Sequence, residues 1–429
     1  MTTLDKYLKY ETSYINRQTT SSTDTWKTYT WQEIAIPIRK KIKKTEYKGE
    51  YPIVKKISFD SGEIVLREER KTKTDLYLAL PKTLIVSKIN LHQGAVAINN
   101  LGWITCTTHY DVYKINEKIV DIKFLWYYLR SPVFRKKIYD DLKYRGIKKE
   151  ANYKYLKNIK LKLPPIEEQR KIVYILDTIR HAIEVQDRLL DTLNELKRAL
   201  MNRLFTKGLD SNQPTKQTEI GEIPAHWKVV KLEEILSKRN ETILPREAQK
   251  LGLIYVGLEH IDSGTPFLYR WDSPSKVKSL KNRFYPGDIL YGKLRPYLDK
   301  AVIAEYEGVC STDILVLKVI RIKANPYFAV YLLHTDRFLK YATSSMKGVN
   351  HPRVTWNDIR EFKVALPLLD EQEKIASIMI KIDEKIKLIR QKKNLLEELF
   401  SSLLHKLMSG QIRVTNLNEI YSSKRPSGV

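Results

Sequence analysis

The chain has 429 residues, 42% apolar and 10% aromatic, enough for two or three domains with real cores. Seventy-six lysines and arginines against 50 acidic residues leave a net charge of +26, a self-repulsion that points to a polyanionic partner, with nucleic acid ahead of an anionic membrane. No stretch approaches the roughly 18 consecutive apolar residues of a membrane span, and the opening MTTLDKYLKYE lacks the apolar run of a secretory signal, so the expectation is a cytoplasmic protein with no membrane partner.

Residues 1–25 are polar and read as irregular or as a short helix. A first globular segment, 26–162, opens at Trp26. It is strand-rich in its middle, with short β-branched and aromatic runs between Gly, Pro and Asn, and it carries one clear helix near 121–143. Residues 163–207 follow, reading LPPIEEQRKIVYILDTIRHAIEVQDRLLDTLNELKRALMNRLFTK. Pro164 and Pro165 close an extended approach, and Glu167 and Glu168 suit the positive end of a helix dipole. Ile172, Leu176, Ile179, Ile183, Leu190, Leu193, Leu200 and Leu204 then recur at steps of four and three, a heptad seam. Residues 208–224 form a polar Gly/Pro linker.

The whole order then repeats. Trp227 echoes Trp26, the segment 225–365 carries a helix near 325–343, and residues 366–410 read LPLLDEQEKIASIMIKIDEKIKLIRQKKNLLEELFSSLLHKLMSG. That second copy aligns on the first without a gap: Pro164 with Pro367, Glu168 with Glu371, Gln169 with Gln372, Lys171 with Lys374. Its seam runs through Ile375, Met379, Ile382, Ile386, Ile389, Leu396, Phe400, Leu403 and Leu407, and residues 411–429 are a tail. Gln186, Lys197 and Lys393 interrupt the seams, at a cost in stability that can fix register or leave room for a partner. At about 1.5 Å per residue each helix spans roughly 55–60 Å. Two matched seams in one chain are each other's natural partner, in a direction that the spacing leaves open.

The globular segments have diverged further than the helices, yet landmarks survive. PKTLIVSKI from Pro81 answers PGDILYGKL from Pro286, and FLWYYLRSPVF from Phe124 answers FAVYLLHTDRF from Phe328. Cys106 and Cys310 also correspond. Equivalent positions in two domains are poorly placed to meet, so both read as reduced, buried thiols.

In a DNA binder, phosphate contacts supply affinity and base-edge contacts supply sequence. The first segment offers Arg70 and Lys73, then Lys88, Asn90 and His92, then Arg145, Lys148 and Lys149 around Gly146. The second offers Lys278 and Arg283, then Lys293, Arg295 and Tyr297, then Lys347, Asn350, His351 and Arg353 around Gly348. Any one of these is equally read as a solvated surface charge. The set gains weight because Lys88 corresponds to Lys293 and the Gly146 loop to the Gly348 loop, while the basic run 39–44 has no echo. Glycine beside a basic residue lets backbone approach a phosphate closely.

Other motifs fail on inspection. GDILYGKL from Gly287 has Leu294 where a phosphate loop needs Ser or Thr, followed by Arg295 and Pro296. Residues 325–328, NPYF, lack a proline of the adenine-methyltransferase motif and have no glycine-rich methyl-donor loop upstream. Histidines and cysteines show no metal-ligand spacing. No catalytic residue and no metal site is expected.

The arrangement resembles the specificity subunit of type I restriction–modification systems. The resemblance rests on LPPIEEQ at Leu163, LPLLDEQ at Leu366, GEIPAHWKVVKLEEI from Gly221 and SGQIRV from Ser409, and it covers the chain from about Trp26. It implies an α+β fold, with two mixed target-recognition domains held apart by two long helices in an antiparallel coiled coil about a pseudo-two-fold axis. It also implies a non-catalytic subunit that reads a bipartite, asymmetric double-stranded DNA target with a fixed gap. Two modification subunits would dock near Glu168, Gln169, Lys171, Glu371, Gln372 and Lys374, with restriction subunits beyond them. S-adenosylmethionine, and ATP with magnesium for restriction, would belong to those partners. The competing expectation is a basic scaffold that binds DNA without reading its sequence.

Overall fold

The computed structural model describes residues 26–143, 150–210, 212–276, 278–348 and 350–414. Among these, two compact units form: one gathers residues up to 185 with those from 393 onward, the other gathers residues 186–392. Each unit therefore combines one globular domain with the opening half of one long helix and the closing half of the other. The compact units cut across the repeat that the sequence spells.

The first domain is built on an antiparallel four-stranded sheet in the order Ala35–Ile38, Tyr110–Ile115, Leu84–Ser87, Val96–Ile98. Leu84, Ile85 and Val86 are all fully buried, as expected of a strand covered on both faces. The second domain repeats this sheet with Leu236–Lys238, Ile314–Val319, Ile289–Gly292 and Ala301–Ile303 in the same order. Beside it the first domain places the three-stranded sheet Lys41–Ile42, Leu76–Ala79, Ile104–Thr107. The second domain widens that sheet to four strands, adding Ile254–Val256 parallel to Gly308–Cys310. A two-stranded clasp closes each domain at its root. Lys27–Thr30 pairs with Lys160–Leu163, and Lys228–Lys231 pairs with Lys363–Leu366. The clasp ends at the prolines that release the chain into the long helices.

Where the sequence suggests one helix near 121–143 and one near 325–343, the structure splits each into two. Ile122–Arg130 stops at Ser131, forced into extended conformation ahead of Pro132, and Pro132–Lys143 follows. In the second domain Pro326–Leu333 gives way to Asp336–Ser344 because Thr335 turns extended and its hydroxyl accepts from the Phe338 N–H as a new cap. The linker carries a hairpin, Thr215–Thr218 with Gly221–Pro224.

The long helices are Ile166–Lys207 and Leu369–Met408. Within the first unit, the start of one meets the end of the other. Ile172, Val173 and Leu176 share a core with Leu407 and Met408, and Phe124, Leu125 and Leu129 of the domain join the same core. Within the second unit, Met201, Leu204 and Phe205 share a core with Ile375, Ala376 and Met379, together with Trp227, Phe328 and Tyr331. The pairing is antiparallel in both. Polar braces add direction. Tyr127 Oη donates to Asp177 at 2.7 Å in the first unit, and Tyr331 Oη donates to Asp383 at 2.7 Å in the second. The tyrosines are equivalent, but the second aspartate sits about one turn further along its helix.

Burial of Cys106 pushes its thiol up to about 12, and burial pushes Cys310 above its usual value too. Since the thiolate is the reactive form, native protein at pH 8 is expected to resist a soluble maleimide while urea-unfolded protein takes up two labels, as read by intact mass. Rapid labelling of the native chain would contradict this packing.

Candidate nucleic-acid interface

In the second domain the strand Ile289–Gly292 runs out at Lys293. The Lys293 N–H donates to Asp313 O at 3.0 Å, and its carbonyl accepts from Val354 N at 3.0 Å. Two residues on, Arg295 N donates to Pro352 O at 2.9 Å. Lys347 and Arg353 exchange backbone hydrogen bonds of 2.9 and 3.0 Å across a turn in which Gly348 takes φ +97°. These bonds stitch two loops into one surface. They bring together Lys293, Arg295, Tyr297, Lys347, Asn350, His351 and Arg353, which the sequence placed about 50 residues apart.

The charges on this surface are not equally free. Lys347 Nζ lies 2.6 Å from Asp358, and Arg353 Nε lies 3.1 Å from Asp313. Hydrogen bonds from Lys347, then from Thr355, pull the Asp358 carboxyl down to about 2, so it stays ionised and fixes the ammonium in place. Lys278 is exposed on the loop after the short turn Pro274–Lys276. Arg283 is held within the domain. Its Nε donates to Glu307 at 2.9 Å, Glu241 is 3.4 Å away, and the guanidinium sits 5.1 Å from the Tyr285 ring centre. Two internal carboxylates hold it, so it braces a sheet instead of reaching outward.

The first domain repeats the scaffold. Lys88 N donates to His109 O at 2.9 Å and its carbonyl accepts from Ala151 N at 2.7 Å, the same two bonds that Lys293 makes. Its side chain does something else. Nζ donates to Thr108 O at 2.6 Å and lies 3.4 Å from Asp111, so without DNA Lys88 is held as an internal strut. Asn90 opens the short turn Leu91–Gln93, with its side chain making no capping bond. His92 packs 5.9 Å from the Tyr139 ring, and burial, aided by the nearby Arg135 charge, lowers its pKa, leaving the imidazole neutral at pH 7. Arg70 and Lys73 are exposed, with Arg70 Nη1 donating to Gly49 O at 3.3 Å. Arg145, Lys148 and Lys149 lie outside the described residues.

The residues expected to meet modification subunits mostly face inward. Gln169 is fully buried: its Oε1 accepts from Asp121 N at 2.8 Å, and its Nε2 donates to Ile119 O at 3.0 Å and Pro164 O at 2.9 Å. Gln372 does the same with Asn325 N, Lys323 O and Pro367 O, at 2.8, 3.1 and 2.9 Å. Glu168 takes a bidentate pair from Arg413, both bonds 2.7 Å, and Glu371 accepts from Trp227 Nε1 at 3.0 Å and faces His226 at 2.8 Å. In this structure all four act as internal anchors. A helix entry following a proline leaves backbone groups exposed, and a buried polar group must be paired. Lys374 is exposed and Lys171 is half-buried. Arg413 escaped the sequence reading, although it lies in the phrase SGQIRV. It also lies 5.8 Å from the Trp26 ring centre.

The motifs set aside earlier have structural explanations. Asn325 caps the helix Pro326–Leu333, its side chain accepting from Tyr327 N and Phe328 N, and residues 289–292 of the glycine-containing stretch are a core strand. Among the described residues no helix is long and apolar enough to cross a membrane.

A mixed-sheet domain occurs twice, each copy seated on antiparallel helix halves and carrying the same loop scaffold, and in the second copy basic side chains of those loops are exposed. The sequence model of the type I restriction modification DNA specificity domain matches residues 23–195 and 224–398, and the chain belongs to that family. It is 30% identical over 315 residues to the type I restriction enzyme MjaVIII specificity subunit of Methanocaldococcus jannaschii, covering 70% of this chain and 72% of that one. It is 25% identical over 292 residues to the EcoDI specificity subunit of Escherichia coli, covering 61% and 63%. Its fold matches the type I restriction–modification S subunit from M. genitalium with a TM-score of 0.55 at 16% identity, over 90% of this chain and 97% of that one. A chain from a structural study of assembly and conformational transition in the type I R-M system matches at 0.56 with 17% identity, over 91% and 99%.

Proposed function

We propose that this chain is the sequence-specific DNA-recognition subunit of a type I restriction–modification complex. It is non-catalytic, and it directs adenine methylation or cleavage carried out by partner subunits in the cytoplasm. One observation carries the reading: two domains of one family fold present the same loop scaffold with different outward side chains. A single scaffold with unlike readers implies a target of two unlike halves. Phosphates would be met by exposed cations such as Arg70, Lys73, Lys278 and Lys347 and by the half-buried Lys293, and bases by the polar side chains between them. Two modification subunits would hold S-adenosylmethionine, and restriction subunits would hold ATP and magnesium. Lys171 and Lys374, at equivalent positions on the helix openings, are the residues from the original set still suited to meet a modification subunit.

The test is a selection from random duplex DNA with the chain co-assembled with its modification subunits, followed by sequencing. The expected result is two short, different motifs at one fixed spacing. A non-specific basic scaffold would lose affinity with salt equally on every sequence and enrich nothing.

A further inference from the structure

We propose that the residue opening the short turn after the paired loop is the base-reading position of each half, with Arg295 reading guanine and Asn90 reading adenine in the major groove. The assignment rests on the function proposed above and adds which base each side chain takes.

The two positions are equivalent by structure. Lys88 and Lys293 make the same pair of backbone bonds, and two residues later Asn90 and Arg295 each stand at the entry of a one-turn 3₁₀ helix, Leu91–Gln93 and Pro296–Leu298. Neither side chain caps its turn. For Asn90 this is unusual, because asparagine at a helix entry ordinarily spends its oxygen on a backbone N–H. Among the described residues its side-chain amide has no hydrogen-bond partner.

Arg295 sits on a pedestal. Its backbone is left-handed, φ 51° and ψ 65°, a conformation that residues other than Gly, Asn and Asp visit rarely. Pro296 follows and restricts it further. The surroundings impose the conformation: Arg295 N is held by Pro352 O at 2.9 Å, Arg295 O by Leu298 N at 2.9 Å, and Pro296 is buried. The far end of the turn is pinned at Asp299, itself left-handed, whose carboxylate lies 2.6 Å from Nδ1 of the buried His334. A fixed backbone thus carries an exposed guanidinium. Arg353 and Lys347 nearby each have a carboxylate partner, whereas among the described residues no carboxylate lies within ion-pair distance of Arg295. Backbone strain held by several independent contacts, with the side chain left open, suits a preorganised reader.

The chemistry follows from the residue types. The guanidinium fork matches O6 and N7 of guanine, and a carboxamide matches N6 and N7 of adenine. A neutral carboxamide can also donate to a phosphate, so the relaxed base pair, and not a loss of affinity alone, is what marks a base reader.

The experiment uses the full chain assembled with its modification subunits and compares wild type with Arg295→Gly, Arg295→Lys and Asn90→Ala in the same duplex selection. Glycine suits the left-handed turn, so Arg295→Gly is expected to keep the melting temperature while losing about ten- to hundred-fold discrimination at one G·C pair of one half-site. Arg295→Lys keeps the charge and is expected to relax the same pair. Asn90→Ala is expected to relax one A·T pair in the other half-site. The assignment is overturned if Arg295→Gly leaves every base preference intact and only flattens the salt dependence, or if the relaxed pair is not G·C. A wild-type complex without any base preference would overturn the specificity-subunit reading, and this assignment with it.

Discussion

Asp383→Ala is expected to cost the second unit about 3–5 kcal/mol, the penalty of leaving a buried charge without its counter-ion. Lys197 Nζ lies 2.6 Å from Asp383 Oδ1 and donates to Gly264 O at 2.6 Å, while Tyr331 Oη donates to the other carboxylate oxygen at 2.7 Å. The lysine and aspartate side chains are 11% and 6% exposed, so water screens little. Burial, then the Asp383 charge, drives the Tyr331 phenol well above its usual pKa, which keeps it a donor at every working pH. Removing the carboxylate leaves an ammonium with one carbonyl and a phenol with no acceptor. The network as a whole need not be a net stabiliser, since desolvating both ions costs as much as their attraction returns. The double variant Lys197→Met with Asp383→Leu is therefore expected to recover most of the loss. Hydrogen exchange of the amides in Pro326–Leu333 reads the effect locally. Protection within about threefold of wild type in Asp383→Ala would show that the pair is screened after all.

This network shows what the sequence could and could not say. The heptad count marks Lys197 as a break in the seam that costs stability and can fix register or leave room for a partner, and the structure buries it there. The partner was not legible, because Asp383 lies 186 residues away and its equivalent position in the other helix is Arg180. The domain-and-helix duplication was legible because the helices kept their period. The antiparallel sense was not, since a heptad pattern reads alike in both directions. The loops were half legible. Correspondence of Lys88 with Lys293 located the scaffold, but a basic letter does not reveal whether its charge points outward. Lys88 and Arg283 are held by Asp111, Glu307 and Glu241, all acidic residues that composition counts only as partial neutralisers. The phrase EEQ misled most. Charged and polar letters at a helix start look like surface, yet two of every three face inward, because a chain that passes from strand through proline into helix must find partners for its stranded backbone groups.

That last point sets the second large effect. Gln372→Leu keeps the volume of the side chain but strands the Asn325 N–H and the carbonyls of Lys323 and Pro367, which Gln372 now satisfies at 0% exposure. Each buried unpaired group costs about 1–3 kcal/mol, and carbonyls can share other donors, so the expected loss is about 2–4 kcal/mol. Gln169→Leu is expected to behave alike in the first unit, where Asp121 N, Ile119 O and Pro164 O are the partners. The variant Gln372→Glu separates hydrogen bonding from packing. It keeps the acceptor for Asn325 N but turns a second acceptor toward two carbonyls. Burial and that repulsion raise the pKa of the introduced carboxyl above its unfolded value. Its neutral form, which can donate, is then favoured in the folded state, so the deficit is expected to be largest at neutral pH and to shrink as pH falls through the raised pKa. Urea unfolding from pH 7 to pH 5 measures it, against Gln372→Leu as a control whose deficit should not move. Equal and pH-independent losses in both variants would mean that shape alone, and not the three hydrogen bonds, ties each domain to the opening of its helix.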